Sequence, residues 1–229
     1  MRNNLGIFLL DKLRHVIHRR IGPRTFFKSL YVYSKGHAYE NGKKLSSFLI
    51  NGNSIIHLEK NARIVNEGSF VLGLSRNTFP PTKLPSALQM FKNSRLIIHG
   101  SVNAAHGVAL TINENATLEL GNNVWINSGS NLICCDHIRI GDDSIISWDV
   151  EIRDSDIHNL LRKGFVVSES IDIGSNVWIG SRATILKGVK IGSGSIVATG
   201  TIVTKDVPEK CLVAGVPGRV IRENVSWKR

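Results

Sequence analysis

Residues 171–222 read IDIGSNVWIGSRATILKGVKIGSGSIVATGTIVTKDVPEKCLVAGVPGRVIR. An aliphatic residue recurs here at every sixth position, at Ile173, Ile179, Ile185, Ile191, Val197 and Val203. A small or β-branched residue follows each of them four positions later, at Val177, Ala183, Val189, Ser195, Thr201 and Val207. A helix requires apolar spacings of three and four, and a hairpin sheet requires alternation. A period of six predicts instead a triangular solenoid, in which each hexad contributes one short strand and one corner.

The same period continues upstream with interruptions. One set comprises Leu120, Ile126 and Leu132, and a second comprises Ile140, Ile146 and Ile152. Weaker traces lie at 58–64 and 98–118. We therefore predict five or six coils over residues 51–208, followed by a C-terminal tail at 209–229.

Two segments interrupt the repeat. Residues 74–95 contain Pro80, Pro81 and Pro85 and no hexad, which predicts a loop or a short helical excursion. Residues 154–170 separate Ile152 from Ile171, where an unbroken repeat would continue after six residues. Because a loop that leaves a rigid scaffold often carries the functional side chains, the second interruption is the natural place to look for chemistry.

Residues 1–50 form a basic N-terminal segment with ten Lys or Arg and two acidic residues, so most of the formal charge of +11 lies outside the repeats. Apolar residues at helical spacing within 5–21 predict an amphipathic helix that Gly22 and Pro23 end. This helix could pack on the end of the solenoid. Alternatively, it could adhere to an anionic membrane surface through its cations, which are Lys12, Arg14, Arg19 and Arg20. No nucleic-acid-binding motif accompanies the charge, so nucleic acid is not an expected partner.

The cysteines and the lack of export or membrane-spanning signals predict a protein of the reducing cytoplasm. The cysteines Cys134, Cys135 and Cys211 have neither a disulfide-framework nor a zinc spacing, and we expect them to be dispensable core or corner residues. The apolar run at 5–10 is broken by Asp11, and no small-residue cleavage pattern follows it. No run of about 18 apolar residues occurs, so no membrane-spanning segment is predicted.

The hexads, together with VWIG at 177–180, TKDVP at 204–208 and AGVPGRVI at 214–221, closely resemble hexapeptide-repeat acetyltransferases, such as those acting on galactosides, maltose and xenobiotics. ISWDV at 146–150 and the basic N-terminal segment resemble the acetyltransferases of bacterial surface-polysaccharide pathways. The resemblance implies an all-β, left-handed parallel β-helix. It also implies transfer of acetyl from acetyl-CoA to a hydroxyl or amine of a carbohydrate or nucleotide-sugar acceptor, without a metal. A solenoid alone leaves one wall of the coenzyme groove unpaired, which predicts a threefold homotrimer with sites between subunits.

The resemblance makes His158 the catalytic base. An acceptor must lose a proton as it attacks the thioester, and an imidazole with an ordinary pKa of about 6.5 accepts that proton near neutral pH. Asp154 and Asp156 could orient this imidazole or bind sugar hydroxyls, or they could be ordinary turn-forming acids. Asn131 and Asp136 correspond approximately to acceptor-binding positions of the family.

Coenzyme-binding residues follow from the same resemblance. The small residues Gly180, Ser181, Ala198 and Thr199 would line the pantetheine arm, where backbone groups must approach closely. Ser181 or a backbone N–H could also stabilise the thioester oxyanion. The nucleotide end would meet the residues Thr204, Lys205, Arg219 and Arg222, because phosphates require cations. Trp178 would either wall the acyl site or pack in the trimer.

Two other functions use the same fold. A non-catalytic scaffold subunit would need neither a histidine on a protruding loop nor a basic coenzyme-binding tail. A γ-carbonic-anhydrase-like enzyme would need three histidines around one zinc ion, and His99, His106 and His137 have the wrong spacing for it. Serine acetyltransferases, also in the family, carry a long helical N-terminal domain, whereas about 50 residues precede the first repeat here.

Overall fold

The computed structural model describes residues 23–35, 47–74, 84–161 and 163–229. The helix predicted at 5–21, with the membrane contact proposed for it, lies outside these residues. Helix α1 (Pro23–Lys35) begins at Pro23, whose fixed φ and missing N–H suit the first helical position. The sequence pattern predicts only the end of an earlier helix at this proline and does not reveal α1.

Helix α1 closes the first coil of the solenoid. The Ile50 N–H donates to the hydroxyl of fully buried Ser29 at 3.0 Å, and the Gly52 N–H donates to the Thr25 hydroxyl at 3.0 Å. A Cβ at Gly52 would lie 2.6 Å from the Arg24 Cβ, so the helix and the coil are in close contact. Helix α1 thus packs against β1 and the turn that follows it.

The strands of the described chain form three sheets, one on each face of the solenoid. The first has the order β1 (Ser47–Ile50), β4 (Ser69–Leu72), β7 (Ser101–Ala104), β10 (Val124–Ile126), β13 (Ile145–Ile146), β16 (Trp178–Ile179), β19 (Ile196–Val197), β21 (Leu212–Gly215) and β22 (Gly218–Arg222). The second has β2 (Ile55–Leu58), β5 (Ala87–Met90), β8 (Ala109–Ile112), β11 (Asn131–Cys134), β14 (Glu151–Arg153), β17 (Thr184–Ile185) and β20 (Ile202–Val203). The third has β3 (Arg63–Asn66), β6 (Arg95–Ile98), β9 (Thr117–Leu120), β12 (His137–Ile140), β15 (Ile171–Ile173) and β18 (Lys190–Ile191).

Equivalent positions of successive coils lie beside one another in parallel register. Ile146 pairs with Ile179, and Ile179 pairs with Val197. The aliphatic residues that set the period are at most 2% exposed and form one continuous core. Each contributes roughly 1.5–3 kcal/mol through burial of its side chain. The predicted left-handed parallel β-helix is confirmed.

The upstream coils differ from the sequence expectation in length. The described strands make six complete coils and two sides of a seventh, and the first coil begins at Ser47. Strands β2 to β9 have four residues each, whereas β16 to β20 have two, so the upstream chain does not keep a strict period of six. Asparagines at positive φ turn several upstream corners, and the Asn61 and Asn93 side chains hydrogen-bond across coils at 3.1 Å. Asparagine tolerates this conformation better than other residues with a Cβ.

Two predicted boundaries require correction. The loop predicted at 74–95 ends earlier, because Ala87–Met90 form β5 in the second sheet, with Leu88 and Met90 fully buried. The predicted tail at 209–229 contains β21, and β22 pairs antiparallel with it. Strand β5 was not predicted because the prolines near it indicated a loop. The β21–β22 pair was not predicted because a change from parallel to antiparallel pairing leaves no periodic pattern in the sequence.

Candidate functional site

The 154–170 loop leaves the corner between the second and third sheets, after β14, and returns at β15. Its ends pair with each other: the Asp156 N–H donates to the Val167 carbonyl at 3.0 Å, and the Glu169 N–H donates to the Asp154 carbonyl at 2.9 Å. The Ser168 hydroxyl donates to that of Ser155 at 2.9 Å. These bonds form a narrow neck that fixes where the tip of the loop projects.

Asp154 anchors the neck on the preceding coil. Its side chain is fully buried, and its two oxygens accept the N–H groups of Cys135 at 2.7 Å and Asp136 at 2.9 Å. Burial raises the pKa of this carboxyl, and the two backbone N–H groups oppose that rise. These contacts indicate an anchoring role, and the roles predicted for Asp154 in orienting the imidazole or binding a sugar hydroxyl stay predictions.

Asp136 and Asn131 were also predicted to bind the acceptor. Both lie on the coil that precedes the loop. The Asp136 carboxylate accepts a hydrogen bond from the Ser170 hydroxyl, at the returning end of the loop. Asn131 begins β11 and pairs with Glu151 of β14. Asp136 therefore holds the second end of the loop, much as Asp154 holds the first.

Lys187 is a functional candidate that the sequence did not reveal. It lies between β17 and β18, and its ammonium pairs with the Asp156 carboxylate at 2.7 Å. It also donates to the Val166 carbonyl and lies 4.1 Å from the centroid of the Phe165 ring. The Asp156 carboxylate is therefore paired with this cation, and among the described residues it does not hydrogen-bond to the His158 imidazole. A lysine in one hexad corner resembles any other surface lysine, so no sequence signal identified it.

His158 lies directly beyond the neck, with its side chain exposed. The preceding Ile157 has φ +65°, and the His158 N–H donates to the Asp156 carbonyl at 2.7 Å, which makes a tight turn. Within the part of the chain that the structure describes, no carboxylate hydrogen-bonds to the imidazole. The ring is free to meet a substrate or a neighbouring subunit.

The predicted pantetheine residues come together at a different corner, between the first and second sheets. Gly180 and Ser181 follow β16, and Ala198 and Thr199 follow β19 one coil later. A Cβ at Gly180 would lie 2.7 Å from the Thr199 nitrogen, so only glycine allows these corners to approach so closely. Strands β17 and β20 separate this corner from the one that carries His158.

The predicted nucleotide-binding residues lie at the end of the solenoid. Thr204 and Lys205 follow β20 and are exposed. Arg219 and Arg222 lie on β22, which starts beside Thr201. Arg219 and Arg222 are exposed too, and an Arg219 Nη donates to the neighbouring Gly218 carbonyl at 2.9 Å. These three cations therefore lie at the same end of the solenoid, on different sheets.

Trp178 projects from the first sheet with 41% of its surface exposed. Its indole nitrogen donates to the Ser147 hydroxyl at 3.1 Å, and its ring lies 5.9 Å from that of Trp227 between centroids. Two residues later comes Gly180, so this indole borders the predicted pantetheine corner.

The histidines considered for zinc do not converge. His99 lies between Glu67 and Glu119, at 3.2 and 2.9 Å, and His137 lies 3.4 Å from Glu119. His106 lies in the turn between β7 and β8, at another corner. Among the residues described, no group of three or more metal-binding side chains is assembled. The geometry does not favour a carbonic-anhydrase-like site.

Residues 170–205 match the family model of bacterial transferase hexapeptide repeats. Over 111 residues the chain is 40% identical to the galactoside O-acetyltransferase of Escherichia coli K12, covering 47% of this chain and 55% of that protein. Over 146 residues it is 36% identical to the polysialic acid O-acetyltransferase of Escherichia coli O1:K1, covering 62% and 45%. The chain thus spans about half the length of these relatives.

The fold resembles the crystal structure of a polySia-specific acetyltransferase. The two share 26% identity with a TM-score of 0.50, over 81% of this chain and 88% of that one. The resemblance to hexapeptide-repeat acetyltransferases predicted from the sequence is confirmed. Among the described residues, no helix is long and apolar enough to cross a membrane.

Proposed function

We propose that the protein transfers an acetyl group from acetyl-CoA to a hydroxyl of a carbohydrate, with His158 as general base. The observation that carries this proposal is the projection of His158 from the hydrogen-bonded neck on a hexapeptide solenoid. A scaffold subunit would not require a histidine held in this way. We choose a hydroxyl rather than an amine because both curated relatives are O-acetyltransferases.

The reaction needs no acylated residue. The acceptor oxygen bonds to the thioester carbonyl carbon while His158 takes the hydroxyl proton. The carbon–sulfur bond then breaks, and the proton passes from the imidazolium to the departing thiolate. The Ser181 hydroxyl or a backbone N–H of its corner would stabilise the negative oxygen in between.

The coenzyme would extend from the corner of Gly180 and Ala198 to the end of the solenoid. The narrow corner lets the pantetheine amides reach backbone groups. Lys205, Arg219 and Arg222 would bind the phosphates, for which guanidinium groups offer paired donors.

Within one subunit, the coenzyme-binding half of this site and the half that carries His158 lie apart. The pantetheine corner and His158 lie at opposite edges of the second sheet, with β17 and β20 between them. The loop tip also exposes apolar side chains, including Leu160 at 58% and Leu161 at 103%. A homotrimer would cover this apolar tip and bring His158 of one subunit to the coenzyme corner of the next.

We place the reaction in bacterial surface-polysaccharide synthesis, in the cytoplasm. The coenzyme is a cytoplasmic metabolite, and the basic segment 1–50 would be attracted to the anionic inner surface of the membrane. Acceptors built on lipid carriers at that surface would then be within reach.

The experiment is release of free thiol from acetyl-CoA by the purified protein. Galactosides and sialic acid oligomers serve as acceptors, and amino sugars blocked at their hydroxyls serve as the control for transfer to nitrogen. The proposal predicts acceptor-dependent thiol release and an acetyl ester in the product by mass spectrometry. An absence of coenzyme binding at millimolar acetyl-CoA would instead favour the scaffold function.

A further inference from the structure

The four tryptophans of the chain line one cleft on the first sheet. Trp125, Trp148 and Trp178 come from three successive coils, and Trp227 comes from the C-terminal residues. The cleft has a volume of about 350 Å³, toward the lower end of the range of about 300–1,000 Å³ typical of ligand pockets. We call it the indole cleft.

Residues 223–229 complete the indole cleft by running back along the corner between the third and first sheets. The Val225 N–H donates to the Lys210 carbonyl at 2.8 Å, and the Trp227 indole donates to the Asn176 carbonyl at 2.8 Å. At the end, an Arg229 Nη donates to the Asn123 side chain at 3.3 Å. Because these partners belong to different coils, the segment is held along its length.

Three of the four indole N–H groups of the cleft are already bonded. Trp178 donates to Ser147, Trp125 donates to Asn123 at 3.3 Å, and Trp227 donates to Asn176. These three tryptophans therefore offer a ligand the faces and edges of their rings. The C–H faces of pyranose sugars are suited to such apolar, flat surfaces.

The remaining lining adds positive charge and hydrogen-bonding groups. Lys228 and Arg229 are both exposed, and the Arg229 guanidinium lies 3.9 Å from the centroid of the Trp125 ring. Asn127 and Ser147 supply polar side chains, and no aspartate or glutamate side chain is among the described residues that line the cleft. Two cations beside ring faces are complementary to a sugar that carries a carboxylate.

We propose that the indole cleft is a subsite for an acidic sugar residue of the acceptor glycan. The inference rests on the proposed function, and it narrows the acceptor from carbohydrates in general to anionic ones. The sugar ring packs against the indoles, and its carboxylate pairs with Lys228 and Arg229. Trp178 links the cleft to the pantetheine corner, so an acceptor bound here extends toward the coenzyme.

The coenzyme itself is the competing occupant, since adenine stacks on aromatic rings and phosphates bind cations. The cations predicted for its phosphates, Lys205, Arg219 and Arg222, lie at the end of the solenoid and are not among the residues lining the cleft. The geometry therefore favours the acceptor.

Intrinsic fluorescence tests the inference directly, because every tryptophan of the chain lines the indole cleft. The protein is titrated with a tetramer of galacturonic acid and, in parallel, with its methyl ester, in which each carboxylate charge is replaced by a neutral methyl ester group. We expect a saturable fluorescence change with the acid and at least tenfold weaker binding of the ester. The double variant Lys228→Gln/Arg229→Gln should bind the acid at least tenfold more weakly. Lys92→Gln, on a corner of the second and third sheets, makes a single charge change elsewhere and should bind normally.

Three results would overturn the inference: equal binding of acid and ester, unchanged binding by the double variant, or displacement of the acid by saturating coenzyme A. None of them would bear on acetyl transfer to neutral acceptors, which thiol release measures separately. Conversely, a protein that bound the acid selectively but released no thiol would contradict the proposed function and leave the indole cleft as a glycan-binding site.

Discussion

Replacing Asp154 should weaken both the fold and the activity, because this carboxylate fixes the loop that carries His158. In Asp154→Asn the side-chain shape is kept, but its NH2 group faces a backbone N–H that previously had an acceptor. One unsatisfied buried donor costs about 1–3 kcal/mol. Relief from burying a charge offsets part of this, so we expect a loss of about 1–2 kcal/mol. Asp154→Ala removes the acceptors of both backbone N–H groups and should cost about 2–4 kcal/mol. The loss stays below that of two fully buried donors because Asp136 is an exposed residue whose N–H can bond to water.

Urea unfolding at constant protein concentration measures the loss, and thiol release measures activity under native conditions. We expect kcat to fall by about 10- to 100-fold in Asp154→Asn, because small misplacements of a catalytic group have effects of this size. Asp156→Asn is the matched control. Its carboxylate is 40% exposed and paired with Lys187, so its loss should change stability by at most about 1 kcal/mol. Equal effects of the two substitutions would refute the anchoring role.

Acid provides a second check on the same residue. Burial raises the folded-state pKa of Asp154 above its ordinary value of 3.8, so the folded protein binds this proton more tightly than the unfolded chain does. The contribution of Asp154 to the free energy of unfolding is therefore greatest below its unfolded-state pKa, and it is lost as pH rises through its folded-state pKa. Asn cannot titrate, so the stability difference between wild type and Asp154→Asn should grow on acidification from pH 7 toward about 4. A difference that shrinks would show that the carboxylate is stabilised as an anion.

Three further predictions concern other parts of the molecule. Burial lowers the pKa of His99, but hydrogen bonds and charge interactions with Glu119 and Glu67 outweigh burial, so the folded-state pKa lies above the ordinary 6.5. Protonated His99 therefore stabilises the fold below about pH 6.5, and this stabilisation is lost as pH rises through the folded-state pKa. His99→Gln should abolish that part of the pH dependence in urea unfolding between pH 6 and 8, and an unchanged profile would contradict it. Gly180→Ala should cost about 1–3 kcal/mol in unfolding and weaken coenzyme binding in calorimetry, because its Cβ meets the backbone of the next coil; unaltered coenzyme affinity would count against this corner as the groove. Cys134→Ala should retain kcat, since burial raises the pKa of the thiol and leaves almost no thiolate to be acylated; a folded variant with tenfold lower kcat would argue for a covalent route.

The sequence predicted the fold well where the repeat is strict. From Ile173 to Val203 one buried aliphatic residue per strand determines both the period and the core. Upstream the four-residue strands and asparagine corners vary the length of each coil, so the hexad period could not be followed there from the spacing. Proline near β5 indicated an interruption, but burial of Leu88 and Met90 overrides that signal.

The site was only partly predictable, because side-chain pairing across coils leaves no local pattern. The interruption after Ile152 correctly located a loop, yet the partners of Asp154 lie on the preceding coil and that of Asp156 on the following one. Likewise, Trp227 meets Trp178 only because residues 223–229 reverse along the solenoid. Contacts of this kind depend on the register of the coils, which spacing alone does not give.

The most direct test is acetyl transfer by His158→Asn, measured as kcat/KM beside the coenzyme dissociation constant. If His158 is the general base, kcat/KM should fall by about 10²- to 10⁴-fold, with coenzyme affinity and unfolding free energy unchanged, because the side chain is exposed and bonds no other described residue. His106→Asn, at another corner, should have wild-type activity. Retention of full transfer by His158→Asn would contradict the claim that His158 is the general base.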